Sequence, residues 1–455
     1  MTKGAPWKSI LIFVIPMLIG NLAQQLYSTV DSVVVGKYVG DNALAAVGKT
    51  FPITMLFLVI VAGIAVGVGI RVSQYFGAKD REKLSLVVGN CISLAFIASV
   101  VTGLLGYFFV DYLLVLLNTP KEIISMSSEY LKIIFLGISG MLFYNIFNSI
   151  LRGLGDSFSA LLFLIFSTFL NIVLDLWFVI SFKMGVTGVA IATVISQSVS
   201  AILSFIKLTK TEALDIKKKY LRPDRATIVD IFKLGLPSGI TQGVLSLAML
   251  LIVRLENSFG AAFVTLASVV IRVDGFAVMP TFTFGQALTT FIGQNVGAKK
   301  YDRLKLGAKQ GTALAISTVA FMTFIILIFG KDVMHIFTDT VEIVEQGAKV
   351  LRILALGYIA VSVIQCMSGV MRGAGDTVTP MYISIFTSVV LRVSLGYLLV
   401  HLSKTPEKPL GEPFMIYYSL LITWVLGAVL NFYFYRKGRW RKKLIDEMEI
   451  NEKNG

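Results

Sequence analysis

"VSQYFGAKDREKLSL" (residues 72–86) and "IGQNVGAKKYDRLKL" (residues 292–306) are two copies of one pattern. Gln74, Gly77, Ala78 and Lys79 match Gln294, Gly297, Ala298 and Lys299, each pair 220 positions apart. A second pair of segments, "LRGLGDS" (151–157) and "MRGAGDT" (371–377), aligns Arg152, Gly153, Gly155 and Asp156 with Arg372, Gly373, Gly375 and Asp376 at the same offset of 220. Two motifs that share one offset, with no net insertion between them, point to a duplicated chain. Glycines allow tight turns and the flanking basic residues suit loops at a membrane surface. These segments therefore serve as evidence of duplication, not as a site.

What was duplicated follows from composition. Of the 455 residues 56% are hydrophobic and only 15% charged, with a mean hydropathy of +0.79, where soluble domains carry about 25% charged residues. A spanning helix needs about 20 mostly apolar residues. Twelve such segments are expected, near 9–36, 44–74, 84–109, 128–152, 158–182, 187–209, 228–257, 262–293, 304–329, 346–371, 378–401 and 413–436. The first apolar run continues past Pro16 to Val35, longer than the core of a cleavable signal, and is expected to stay as a span. Six spans per half make the repeats parallel, related by an axis along the membrane normal. The expected fold class is an all-α integral membrane protein of two six-helix lobes: 1–209, a cytoplasmic linker at 210–227, 228–436, and a cytoplasmic tail at 437–455 whose end, "NEKNG", reads as disordered.

The net charge of +14 reports topology rather than nucleic-acid binding. Lys and Arg crowd one set of loops: Lys79, Arg81 and Lys83; Arg152; the run from Lys207 to Arg225; Lys299 to Lys305; Arg372; and Arg436 onward. The opposite loops hold little beyond Lys37, Lys121, Lys183, Lys331, Lys404 and Lys408. The positive-inside rule then places both termini in the cytoplasm, as an even number of spans requires. The basic segment 210–227 reads equally as a linker between halves and as an anchor against anionic lipid. Cys91 and Cys366 each lie in an apolar run, and His335 and His401 stand near helix ends, so neither a disulfide framework nor a thiolate or histidine metal centre is expected.

Against this background "FLNIVLDLWFVI" (169–180) stands out, because it puts Asn171 and Asp175 one helical turn apart inside an apolar span. A central Asp costs about 2.5 to 3.5 kcal/mol on insertion scales, and such residues usually mark a substrate or ion path. In the second half, Arg272 and Asp274 are two apart in the eighth span and cannot share a face. Arg392 in the eleventh span is placed to neutralise Asp274, either as a buried pair that shapes the lobe or as part of a substrate contact. Glu256, beside "NSFG", reads as a solvated helix end. The many Met and Phe residues, 15 and 32, would supply an adaptable apolar wall, although most must face lipid or core.

The chain resembles the multidrug and toxic compound extrusion (MATE) family over almost its whole length. The likeness rests on "TVDSVVVGKYVG" (29–40), "GQNVGAKK" (293–300), "MRGAGDT", "NIVLDLWFVI" (171–180) and "GVTGVAIATVISQ" (185–197). It implies two lobes in a V around a central cleft, and export of organic cations coupled to H⁺ or Na⁺ through a site in the first lobe. By the same likeness that site falls on Asp31, Asn171, Asp175 and Thr193, with Pro16 as the helix-bending proline. The family's acidic pair in spans seven and ten is matched poorly, since the tenth span has no Asp or Glu in its core.

Simple geometry is compatible with the first-lobe set. At about 1.5 Å per residue, Asp31 lies roughly 9 Å below Lys37, Asp175 roughly 12 Å below Lys183 and Thr193 roughly 12 Å below Gly185. Two carboxylates in low dielectric repel, so the pair holds a proton or recruits a cation. Carboxylate, amide and hydroxyl oxygens also suit a hard ion such as Na⁺, and the sequence leaves the two open. No cofactor, metal beyond such an ion, or nucleic-acid partner is expected. The expected partners are the bilayer and small organic cations, and the expected state is a monomer in the cell (inner) membrane. Rivals are a lipid-linked oligosaccharide flippase of related architecture, which an Arg-rich cleft would favour, and a major facilitator protein, whose loop "GAKDREK" loosely resembles. A membrane-embedded enzyme is the rival outside transport, and no nucleophile or HExxH constellation supports it.

Overall fold

The computed structural model describes residues 1–117, 119–438 and 440. These residues are almost wholly helical. In chain order the helices are α1 (Pro6–Tyr38), α2 (Asp41–Ala78), α3 (Arg81–Leu116), α4 (Lys121–Leu136), α5 (Ile138–Leu154), α6 (Ser157–Leu176), α7 (Gly185–Thr209), α8 (Arg225–Asn257), α9 (Ala261–Gly297), α10 (Tyr301–His335), α11 (Val341–Gly373), α12 (Val378–Ile385), α13 (Arg392–Leu402) and α14 (Met415–Lys437). A π-helical turn, Trp177–Ser181, extends α6, and another, Phe386–Leu391, joins α12 to α13. Eleven helices are long and apolar enough to cross a membrane, and the count is twelve when α4 and α5 form one broken span. The tail expected at 437–455 lies outside the described residues beyond Gly438 and Trp440.

That broken span is where the structure departs from the single helix expected at 128–152. α4 and α5 meet at Gly137 with a bend of 54°. The cause is local. Gly137 packs so tightly on α7 that a Cβ there would stand 2.2 Å from Val194 Cγ1, and a Cβ on Gly140 would stand 2.3 Å from Ser198 Oγ. Small residues at such positions let helix backbones approach where lipid supplies no hydrophobic drive. Most other helices run past their expected limits, because the ends continue in polar residues beyond the apolar core.

The duplication is visible in the backbone. α2 ends with Lys79 at φ 58° and α9 is followed by Lys299 at φ 55°; Gly155 and Gly375 follow α5 and α11 at φ 89° and 94°. The cap hydrogen bonds repeat as well: Asp156 N–H donates to Leu151 O at 2.9 Å, and Asp376 N–H to Met371 O at 2.9 Å. Both are the six-to-one bond of a left-handed helix terminus. Each aspartate then caps the next helix through its carboxylate, Asp156 from Ser159 N–H at 2.9 Å and Asp376 from Thr379 N–H at 3.1 Å. The repeated "GxGD" motif is thus a stop-and-start signal between helices.

The chain forms two compact units, Ile12–Gly239 and Met1–Leu11 with Ile240 onward. In the first, α2, α3, α5 and α7 surround a core that includes Val72, Val88, Phe147 and Ile150. A Cβ on Gly153 of α5 would fall 3.0 Å from Gly69 O of α2, so that pair of helices touches backbone to backbone. In the second unit the equivalent Gly373 of α11 lies against Thr289 of α9, where a Cβ would be 2.5 Å from the carbonyl oxygen. Its core includes Val270, Val319, Leu351 and Tyr358.

The segment 210–227 is pinned along α3. Asn90 Oδ1 accepts Asp224 N–H at 2.6 Å, and its Nδ2 donates to Tyr220 O at 3.3 Å. Ser93 donates to Leu221 O, Ser85 Oγ accepts Asp215 N–H at 2.8 Å, and Arg81 grips Asp215 with two bonds of 3.0 Å. This segment is a strap as well as a connector.

Candidate functional site

Within Ile12–Gly239, four helices bring polar groups to one place. α1 contributes Tyr27 and Asp31, α4 Tyr130, α6 Asn171 and Asp175, and α7 Thr193. Asn171 and Asp175 are fully buried, while Thr193 and Tyr130 are 6% and 9% exposed. The carboxyl groups of Asp31 and Asp175 are electrostatic neighbours. Tyr27 Oη lies 3.4 Å from Thr193 Oγ1, and both Tyr27 and Tyr130 stand within electrostatic reach of the two carboxylates.

Satisfaction of these groups is incomplete. Among the described residues, neither oxygen of Asp175, neither polar atom of the Asn171 side chain, nor Asp31 Oδ1 has a hydrogen-bond partner. A buried carboxylate without a donor costs several kcal/mol per ion even after relaxation, on the order of the whole worth of a good ion pair. Two neighbouring carboxyl groups whose oxygens lack a partner invite a cation, either a proton shared by the carboxyls or a hard metal ion held by mixed oxygens.

The surrounding elements fix this geometry. Val34, Val35, Val186, Val189 and Ala190 form a small apolar cluster with Tyr130 that walls the group. Ser167 of α6 donates to Ser196 O of α7 at 3.0 Å, locking the two helices in register one turn from Thr193. The π-helical turn starts at Trp177, two residues after Asp175. Such turns insert a residue into the helical ladder and recur where a helix must re-aim a side chain.

The structure brings Asp31, Asn171, Asp175 and Thr193 together and adds Tyr27 and Tyr130. Tyr27 stands four residues before Asp31 and so shares its face, a signal present in the sequence. Tyr130 carried no such signal, because its position depends on the bend at Gly137. Pro16 lies inside α1, some four turns from Asp31.

In the other unit, the C-half candidates separate. Arg272 is exposed, whereas Arg392 lies near both Asp274 and Glu256, with Tyr358 beside Asp274. No ion pair shorter than 4.0 Å joins Arg392 to either acid among the described residues. Glu256 corrects the expectation of a solvated helix end: it is 8% exposed, turned inward toward Arg392. No group of three or more His, Cys, Asp or Glu residues suited to a metal occurs among the described residues.

Comparison with known proteins places this geometry. The MatE family model matches the chain twice, over residues 16–177 and 237–398, two stretches of equal length that follow the internal repeat. The chain belongs to the MatE family. It is similar to the probable multidrug resistance protein YoeA of Bacillus subtilis (strain 168), at 30% identity over 98% of this chain and 97% of that protein. It is also similar to the probable multidrug resistance protein NorM of Thermotoga maritima, at 25% identity over 96% of this chain and 94% of that protein. Among solved structures, an outward-facing conformation of a multidrug resistance MATE family transporter of the MOP superfamily superposes with a TM-score of 0.88 at 26% identity, covering 97% of this chain and 98% of that one. This MatE protein is a multi-pass membrane transporter and not an enzyme.

Proposed function

We propose that this MatE protein exports small organic cations, drugs among them, across the cell membrane in exchange for H⁺ or Na⁺. The observation that carries the reading is the neighbouring pair of half-buried Asp31 and fully buried Asp175, whose oxygens Asp31 Oδ1 and Asp175 Oδ1 and Oδ2 have no hydrogen-bond partner among the described residues, flanked by the unpartnered amide of Asn171 and the hydroxyl of Thr193. An inward-moving cation satisfies them, and an electrical drive of about 2.3 kcal/mol per charge per 100 mV accompanies its entry. That offsets the electrical cost of expelling one monovalent cation. Both termini lie in the cytoplasm in this reading, and the protein works as a monomer.

The relatives support the cargo class, since they carry the names of multidrug resistance proteins. Bending of α1 at Pro16 is the step that would link ion occupancy to cargo release, because proline removes one backbone hydrogen bond and loosens the helix there. MATE structures in bent and straight conformations are among the similar ones and support a mobile element in the fold. The flippase alternative calls for a cleft rich in Arg, and the deep spans of the second half offer only Arg272 and Arg392, the latter within electrostatic reach of Glu256 and Asp274.

The test is ATP-independent ethidium efflux from cells with and without a Na⁺ gradient. Efflux that follows one ion gradient and is lost in Asp31→Asn and Asp175→Asn, with membrane insertion intact, is the expected result. Unchanged efflux in both variants would remove the site.

A further inference from the structure

A second feature of the unit Ile12–Gly239 lies away from the carboxylate pair. A cavity of about 910 Å³ opens between α3, the α4–α5 elbow and α7. Its walls run from Ile92 to Phe108 on α3, take in Phe135 and Phe147 at the elbow, and close along Ala201 and Phe205 of α7; no Asp, Glu, Lys or Arg lines it. The bend of 54° at Gly137 falls within the lined stretch, between Leu136 and Ser139. The sixteen steps from Ile92 to Phe108 along α3 make the trough about 24 Å long, nearly the depth of a hydrocarbon core of about 30 Å. Its volume falls in the range of about 300–1,000 Å³ typical of sites that hold whole small molecules.

One end of this apolar trough is charged. Asp111 follows the lining residue Tyr107 by one helical turn, and Lys132 precedes the lining residue Leu136 by one turn. The two meet at 2.7 Å, with Ser128 Oγ also donating to Asp111 and Lys132 Nζ 6.0 Å from the Tyr107 ring. Their side chains are 62% and 32% exposed, so the pair faces outward with room for further partners. Asp111 lies five residues from the end of α3, about 8 Å along the helix, nearer one end of the span than its middle.

We propose that this trough is a binding site for a zwitterionic glycerophospholipid of the leaflet at the C-terminal end of α3, with its acyl chains in the trough and its headgroup on the Asp111–Lys132 pair. The charge pattern selects that chemistry. A purely anionic headgroup meets Lys132 favourably and Asp111 unfavourably, and an organic cation meets the reverse. A headgroup with an ammonium and a phosphate satisfies both at once, and like-charge contacts penalise the alternatives. Naming that leaflet the outer one rests on the cytoplasmic termini of the proposed exporter; the site itself does not depend on transport.

The test is native mass spectrometry of the full-length protein, purified in mild detergent and exposed to equal amounts of phosphatidylethanolamine and phosphatidylglycerol. The expected result is one retained phosphatidylethanolamine, at least tenfold over phosphatidylglycerol. Lys132→Gln at a half-buried position and Asp111→Asn at an exposed one should each bring that ratio close to one, and Ser139→Trp, at an exposed lining position, should displace both lipids. Equal retention of the two lipids by the wild type, or a ratio unchanged in both charge variants, overturns the proposal. If Ser139→Trp fails to fold, the two conservative variants still decide. Efflux is not measured, so a negative outcome leaves the exporter reading standing, and failure of that reading leaves this one intact.

Discussion

Asp175→Asn puts the shared-cation reading under the hardest strain, because it changes few atoms and supplies what the site lacks. In the wild type both Asp175 oxygens are without a donor and the group opposite is the carboxyl of Asp31. An amide at that position brings an N–H that can donate to Asp31, so the protein itself performs part of the cation's task. A hydrogen bond to a charged group contributes about 1.5–3 kcal/mol. At about 1.4 kcal/mol per factor of ten, affinity for the coupling ion should fall by roughly 10- to 100-fold. Asp31→Asn should act alike from the other side. Because one ion bridges both carboxylates in this reading, the double variant should be scarcely worse than either single, whereas two separate ion sites would give losses that add. The assay is ethidium counterflow in proteoliposomes, with the rate followed against H⁺ or Na⁺ concentration for the wild type, both singles and the double. Single variants with wild-type ion dependence, or losses that sum in the double, refute the reasoning.

Other outcomes follow from the same coordinates. Tyr27→Phe removes a hydroxyl 3.4 Å from Thr193, a long bond at the weak end of the usual range of about 0.5–1.5 kcal/mol, so ion dependence in the same assay should shift by only two- to threefold. Gly137→Val forces a side chain toward Val194 Cγ1 at 2.2 Å; overpacking of this kind costs about 1–3 kcal/mol, and the melting temperature in detergent should drop accordingly. Asn90→Leu strips Asp224 N–H and Tyr220 O of their side-chain partners, at about 1–3 kcal/mol for buried groups left unsatisfied, and trypsin should then cut faster at Lys217, Lys218 and Lys219. Arg81 hydrogen-bonds hold the Asp215 carboxyl below the usual carboxylate range, so this tie is intact above the ordinary Asp value of about 3.9 and lost only as pH falls through the lowered one. Hydrogen exchange in the strap, corrected for intrinsic rates, should therefore show the same protection at pH 8 and pH 5, while Arg81→Gln lowers protection at both.

How much of this was legible in the amino-acid sequence depends on the range over which each feature is encoded. Asn171 and Asp175 were legible because the anomaly is local: two polar groups one turn apart in an apolar run need no distant partner to be noticed. The helix terminators were legible for the same reason, since Gly155 and Asp156 stop one helix and cap the next within six residues, and duplication printed the signal again at Gly375 and Asp376. Features set by distant packing were not. Tyr130 stands on the short helix before the bend at Gly137, and Gly137 packs against Val194, 57 positions further along. Glu256 looked like a solvated end until Arg392, on a helix more than a hundred residues later, turned it inward. Asn90 and Ser93 were unremarked polar residues in an apolar span, and their reason is a strap that returns to them after 130 residues. The lesson for this fold is physical: in lipid, where apolar surface gives helices little reason to choose partners, the choice is made by small residues that allow approach and by polar groups that must be satisfied. A search for intramembrane polar residues finds one half of each such contact, and the other half becomes visible only when the helices are side by side.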